Sequence, residues 1–189
     1  MNMMLIAAAL AAAAPPDAPA PIAAKSVQEA DGSRTLVHEV VVDAPREQVW
    51  AAISTAEGWK TWAVPVAWPT EGGGIETSYT PTASPGDSST IRQEVLLRVP
   101  QRLMVFRTVK APQGFPNFAT YARVTSAFEL EPAGAGRTRV RLTGAGYADD
   151  EAGRALLAFY ERGNAASLEW LRGRFRDGPV DWAKKLAGK

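Results

Sequence analysis

The sequence has no cysteine and a single histidine, His38. The first absence excludes disulfide scaffolds, thiolate metal sites and cysteine nucleophiles. The second excludes any metal site built on two or more histidines. An excess of one charge is also missing: 21 Lys plus Arg against 20 Asp plus Glu leave a formal net charge of +1. Without a concentrated basic surface, nucleic acid is not an expected partner. No Gly-x-Ser-x-Gly elbow, Walker loop, His-Glu-x-x-His helix, calcium loop or dinucleotide fingerprint occurs. The longest apolar run, Met3 to Ala14, is 12 residues, well short of the roughly 20 a membrane-spanning helix needs. No stable membrane span, metal or cofactor is therefore expected.

What remains is a chain of 189 residues with 46% hydrophobic and 22% charged residues, enough to bury one core of ordinary domain size. The run MMLIAAALAAAA, followed by PPDAPAPIAA, has the length and small-residue ending of a secretory signal peptide. Its one departure is the lack of Lys or Arg in Met1-Asn2. Cleavage after Ala13 or Ala20 would place the mature protein in the periplasm or outside the cell; a plain N-terminal extension is the alternative. The resulting division is a signal peptide over residues 1–20, a linker over 21–34, a folded domain over 35–176 and a basic tail over 177–189.

Within the domain the hydrophobic period alternates. Thr35 to Val42 is β-branched and bounded by Gly32 and Pro45, which predicts a strand. Pro45, Glu47 and the apolar positions Val49, Trp50 and Ile53 predict a helix, and Ala56 to Trp62 a second, with Trp59 and Trp62 on one face. Strands are predicted over 75–80, 90–99, 103–109, 121–130 and 138–143, the later ones joined by hairpin-length turns. A long helix opens at Asp149 or Asp150, with Leu156, Phe159, Gly163, Ala166 and Trp170 as its apolar stripe to about Phe175.

The segment APREQVWAAISTAEGWKTW (Ala44 to Trp62) resembles the opening of the START-like, or SRPBCC, superfamily. VPQRLMVFRT resembles its proline-turn hairpin, FELEPAGAGRTRVRLTGAGY its last hairpin and RGNAASLEWLRGRF its closing helix. The resemblance spans Thr35 to Phe175 and is nearest the branch of polyketide-cyclase-like proteins and activators of the heat-shock ATPase. It implies an α+β helix-grip fold: a curved antiparallel sheet wrapped around a long C-terminal helix, with two short helices after the first strand and an apolar cavity between sheet and helix. An amphipathic helix covering a one-sided sheet is also what layer packing requires.

Strand parity then predicts the inward set: Leu36, His38, Val40 and Val42; Ile91, Gln93, Val95 and Leu97; Leu103, Val105 and Arg107; Ala122, Val124, Ser126, Phe128 and Leu130; Val140 and Leu142. The opposite parity carries Arg92, Glu94, Arg98, Arg123, Glu129, Arg139 and Arg141 as a solvated face. A bulge or one-residue slip would reverse any of these. Candidate cavity residues are His38, Val40, Trp50, Trp59, Trp62, Tyr79, Gln93, Val95, Val105, Arg107, Phe128, Phe159 and Gly163. Glu39 cannot orient His38, because neighbouring strand residues face opposite ways, so His38 reads as a satisfied, partly buried histidine rather than a general base. Arg107 facing inward needs a partner or an anionic ligand head; facing outward it is an ordinary edge residue. No catalytic constellation is assembled.

Three functions compete at this stage. An exported carrier of a hydrophobic or amphipathic small molecule, lipid-like or polyketide-like, leads. A cyclase or hydratase would use His38, Tyr79 or Arg107 to polarise such a molecule. An interaction module of the ATPase-activator type is the third. The expected cavity volume is on the order of 300–1,000 Å³.

Overall fold

The computed structural model describes residues 21–187; the expected signal peptide lies outside them. Eight strands form one antiparallel sheet: β1 (Ala24–Gln28), β2 (Arg34–Val42), β3 (Val66–Pro69), β4 (Ile75–Ser78), β5 (Ile91–Val99), β6 (Leu103–Lys110), β7 (Thr125–Pro132) and β8 (Thr138–Tyr147). Their spatial order is β1-β2-β8-β7-β6-β5-β4-β3. Two short helices, α1 (Arg46–Ser54) and α2 (Ala56–Lys60), follow β2, and α3 (Phe118–Tyr121) precedes β7. The sheet curves around the 27-residue helix α4 (Glu151–Asp177), and a last short helix, α5 (Trp182–Ala187), follows it. This is the helix-grip architecture. None of the described helices is long and apolar enough to cross a membrane.

Two segments depart from the expected division of the chain. Ala24–Gln28, inside the stretch read as a linker, pairs with Arg34–His38 as the edge strand β1. Its five residues are all exposed, which gives the edge strand no buried apolar face for sequence periodicity to register. The described part of the basic tail docks on the domain: the Trp182 indole N–H donates to the Lys60 carbonyl at 2.6 Å, and the Val180 amide to that of Thr61 at 2.9 Å.

Helix α1 shows how the sequence fixes the wall of the core. A helix leaves its last four carbonyls without intrahelical partners, and here each is met by a side chain. Thr55 Oγ1 donates to Ala51, Trp62 Nε1 to Ala52, Trp59 Nε1 to Ile53 and Arg98 Nη2 to Ser54, at 2.8, 3.0, 2.6 and 3.3 Å. The two indoles are thereby aimed into the core, their rings 5.5 Å apart. Gly58 permits this approach of α2 to α1: a Cβ there would lie 2.1 Å from the Ala51 carbonyl oxygen, closer than any side chain tolerates.

The sheet corrects part of the predicted parity. Inward Leu36, His38, Val40 and Val42 on β2, Phe128 and Leu130 on β7, and Val140 and Leu142 on β8 are all buried. On β6 the inward residues are Met104, Phe106 and Thr108, each at most 5% exposed, so Leu103, Val105 and Arg107 belong to the outer face. The alternative pattern of Met104 and Phe106 is equally apolar, and burial selects it. A register shift between Val95 and Leu97 on β5 inserts one residue and reverses parity beyond it. Leu97 is 50% exposed in consequence. Arg98, expected outside, pairs in register with inward Met104 and also donates to the Gly73 carbonyl at 2.9 Å. Ala122 caps α3 and Val124 lies just before β7, buried in a smaller cluster with Leu36, Tyr147 and Leu156.

Cross-strand ion pairs dress the outer face: Arg141 to Glu39 and Glu129, Arg139 to Glu131, and Arg107 to Glu94. These are exposed pairs, each worth about 0.2–1 kcal/mol.

Helix α4 begins at Asp150, whose carboxylate accepts the Gly153 amide at 2.7 Å, as an N-cap should. Its buried positions are Gly153, Leu156, Leu168 and Leu171. Of the expected apolar stripe Leu156 is buried, but from Phe159 on the buried face runs one position later, and Phe159, Ala166 and Trp170 are exposed.

Candidate ligand-binding cavity

A cavity of about 150 Å³ lies between the inner sheet face and α4, smaller than the expected range. Trp59 and Trp62 wall one end, and Phe106, Phe128 and Leu142 contribute the sheet side. From the helix come Tyr160, Asn164 and Ser167, at i, i+4 and i+7 and therefore on one face. Thr77, Gln93 and Ser126 add polar groups from the strands, and Tyr79, Pro112 and Phe115 come from the segments that follow β4 and β6. No lining residue carries a charge.

All four tyrosines of the chain, Tyr79, Tyr121, Tyr147 and Tyr160, line this one space. Tyr121 and Tyr160 stack with ring centroids 4.7 Å apart, and Tyr147 lies 6.4 Å from Tyr160. Phe115 touches Tyr121 at 5.6 Å and extends the aromatic contacts to Phe159. The Thr108 hydroxyl donates to the Tyr121 hydroxyl at 3.1 Å. Tyr147 folds back over its own strand, which requires Gly144: a Cβ there would sit 2.8 Å from the Tyr147 hydroxyl oxygen. Burial, reinforced by the neighbouring phenol of Tyr121, pushes the pKa values of Tyr147 and Tyr160 far above the ordinary tyrosine value. Both hydroxyls keep their protons at neutral pH, so each can donate a hydrogen bond as well as accept one.

Of the sequence candidates, Trp59, Trp62, Tyr79, Gln93 and Phe128 line the cavity. The others lie elsewhere. Val40 is in the main core, with Trp50 and Val95 packed against that core. Phe159 is 52% exposed, and Gly163 would present a Cβ to open space. Val105 and Arg107 are on the outer face, where Glu94 accepts from Arg107 Nε at 2.9 Å. His38 is fully buried beneath α4, its Nε2 2.9 Å from the Glu161 carbonyl oxygen. A carbonyl only accepts, so Nε2 carries the proton and Nδ1, which has no partner, is bare. Burial lowers the His38 pKa, and the ring is neutral. An acidic ligand head thus meets neither Arg107 nor a charged imidazole.

Sequence reasoning missed Tyr121, Tyr147, Tyr160, Asn164 and Ser167. The signal for the helix trio was their spacing, but it is a polar pattern on the inward face.

One buried cluster fixes the loop that follows Tyr79. Glu76, 5% exposed, accepts the Gly86 amide at 2.8 Å and the Thr90 hydroxyl, with Lys110 Nζ 3.6 Å away. Lys110 in turn donates to the carbonyls of Gly86 and Asp87, both at 2.7 Å. The Gln113 amide donates to the Ser88 carbonyl at 2.7 Å, joining this loop to the segment carrying Phe115. Burial alone would raise the Glu76 pKa. The bonds from Thr90 and Gly86, with the charges of Lys110 and Arg92, outweigh it and hold the pKa below its ordinary 4.5. A depressed carboxylate stabilises the fold above its unfolded pKa and loses that contribution as pH falls through the folded value. Glu76→Gln is therefore expected to destabilise by about 1.5–3 kcal/mol near neutral pH. Urea midpoints of the two proteins should converge on acidification below 4.5; a pH-independent gap would contradict the charge assignment.

Residues 33–176 match the family model described as polyketide cyclase / dehydrase and lipid transport. The chain belongs to that family. No curated protein matches the chain in sequence. Among solved structures, it is similar to the Aha1 dimer subunit from Colwellia psychrerythraea, with 17% identity and a TM-score of 0.58 over 76% of this chain and 97% of that one. CalU16 from Micromonospora echinospora shares 18% identity at a TM-score of 0.55, over 87% of this chain and 88% of that one. DynU16, from the dynemicin biosynthetic locus, shares 17% identity at a TM-score of 0.57, over 77% of this chain and 48% of that one. At such identities the likeness is one of fold, the SRPBCC fold that the polyketide cyclase and lipid-transport family shares.

Proposed function

We propose that the protein is an exported carrier that holds a hydrophobic small molecule in the cavity between the sheet and α4. One observation supports this most: a cavity of about 150 Å³ lined by aromatic and uncharged polar groups, the usual composition of a small-molecule site. The family description, which joins lipid transport to polyketide chemistry, is in line with it. Extraction of protein purified from its native host, followed by mass spectrometry, should yield one apolar compound in near-stoichiometric amount. An empty extract, together with no uptake of apolar fluorescent probes, would overturn the carrier reading. Export is proposed from the apolar run before Pro15; N-terminal sequencing of the native protein should begin between Ala14 and Lys25, and recovery of Met1 would overturn that part alone.

A second reading, a cyclase- or hydratase-type enzyme, draws on the protonated tyrosines, whose hydroxyls suit polarisation of a carbonyl oxygen. Of the trio first considered for that role, only Tyr79 lines the cavity, while His38 and Arg107 do not. Recovery of a ligand chemically altered by incubation with the protein would favour the enzyme over the carrier.

A further inference from the structure

The dimensions and chemistry of the cavity narrow the ligand class, on the footing that the carrier reading holds. A cavity of about 150 Å³ holds a benzene ring. The present space is of that size, so it encloses one ring with a small substituent, and a fused polycycle or a long acyl chain would have to displace the walls or extend past Tyr79, which is 57% exposed, into solvent. Those walls are rings: Tyr121 stacks on Tyr160 and Phe106 on Phe128, surfaces that favour another ring edge-on or offset. Charge is excluded by a separate argument. The lining carries no cation, and Arg107 is engaged outside by Glu94. A carboxylate entering here would lose its water without a counter-charge, at a heavy desolvation cost. A neutral oxygen atom is a different case, because tyrosine hydroxyls, Asn164 and Ser167 offer donors.

We propose that the cavity takes an uncharged, single-ring aromatic molecule bearing a carbonyl or phenolic oxygen, held by the rings and by hydrogen bonds from the buried tyrosine hydroxyls. It discriminates against carboxylates by charge and against polycycles by volume.

Calorimetric titration of the full chain with three probes at pH 7 tests this: acetophenone, benzoate and 2-acetylanthracene. Acetophenone should bind saturably, and each of the other two at least tenfold more weakly. Tyr147→Phe and Tyr160→Phe keep the rings and remove one hydroxyl each. At least one should weaken acetophenone about fivefold or more while leaving toluene within twofold. Benzoate binding as tightly as acetophenone overturns the charge argument, and 2-acetylanthracene doing so overturns the volume argument; either result leaves the carrier reading standing. Two fully folded phenylalanine variants that bind acetophenone unchanged overturn the hydroxyl assignment. If no probe binds, the ligand class proposed here is wrong, and the native extract decides the carrier reading separately.

Discussion

Trp62→Ala is expected to lower the stability of the protein by about 3–5 kcal/mol, the cost of truncating a buried tryptophan. Only 2% of Trp62 is exposed. Its indole stacks near Trp59 and donates to the Ala52 carbonyl at the end of α1. Removal therefore opens a cavity and strips a buried carbonyl of its only side-chain partner. Against a typical total stability of about 5–15 kcal/mol, that loss approaches unfolding. Trp62→Phe keeps most of the ring and loses the donor, so an intermediate cost of about 1–3 kcal/mol is expected. Urea denaturation followed by far-UV circular dichroism measures both. A loss below about 1 kcal/mol for the alanine variant would mean that the α1 terminus is not anchored as described.

Ser126→Phe is expected to abolish uptake of small apolar probes, by about a hundredfold or more, while the protein stays folded. Ser126 projects from β7 into the cavity, opposite Phe106 in the register. Substitution there places a tethered benzene ring in a benzene-sized space, in competition with any ligand. Ser167→Phe makes the same change from the helix side and guards against a local packing failure on β7. The thermal midpoint should hold or rise in at least one of the two, because filling a void restores lost contacts. Unchanged probe affinity in a folded variant would place the binding site elsewhere.

Much of the architecture was legible in the sequence. The β-branched run of β2, the Pro45 helix start and the Asp150 cap each act locally; the helix grip itself is what the resemblance to the START-like superfamily implies, and layer packing agrees with it. Trp59 and Trp62 both reach the cavity, as expected, although α2 ends at Lys60 and Trp62 stands in the turn after it rather than on the predicted helix. What escaped depends on pairing between distant segments. The extra residue at the β5 bulge is visible only against β6, and it turns Leu97 out and Arg98 in. On β6 both faces are apolar up to Phe106, so parity had two solutions and sheet packing chose the one that sends Arg107 to solvent. Helix α4 misled because its inward face is partly polar. Its inward face carries Tyr160, Asn164 and Ser167, whereas Phe159 and Trp170 stay outside. A search for the apolar stripe therefore finds Leu156 but, from Phe159 on, runs one position off the inner face, where polar residues stand among the buried leucines.

The most direct test of the account is where a small neutral aromatic sits on the protein in solution. Isotope-filtered nuclear Overhauser spectra of the labelled full chain with excess acetophenone give that position from proton contacts alone. The account predicts cross-peaks from the ligand ring to Tyr121, Tyr147, Tyr160 and Phe128, and none to Leu97, Val99 or Val105 on the outer sheet face. Cross-peaks confined to those outer residues, or none at a saturating concentration, would contradict it.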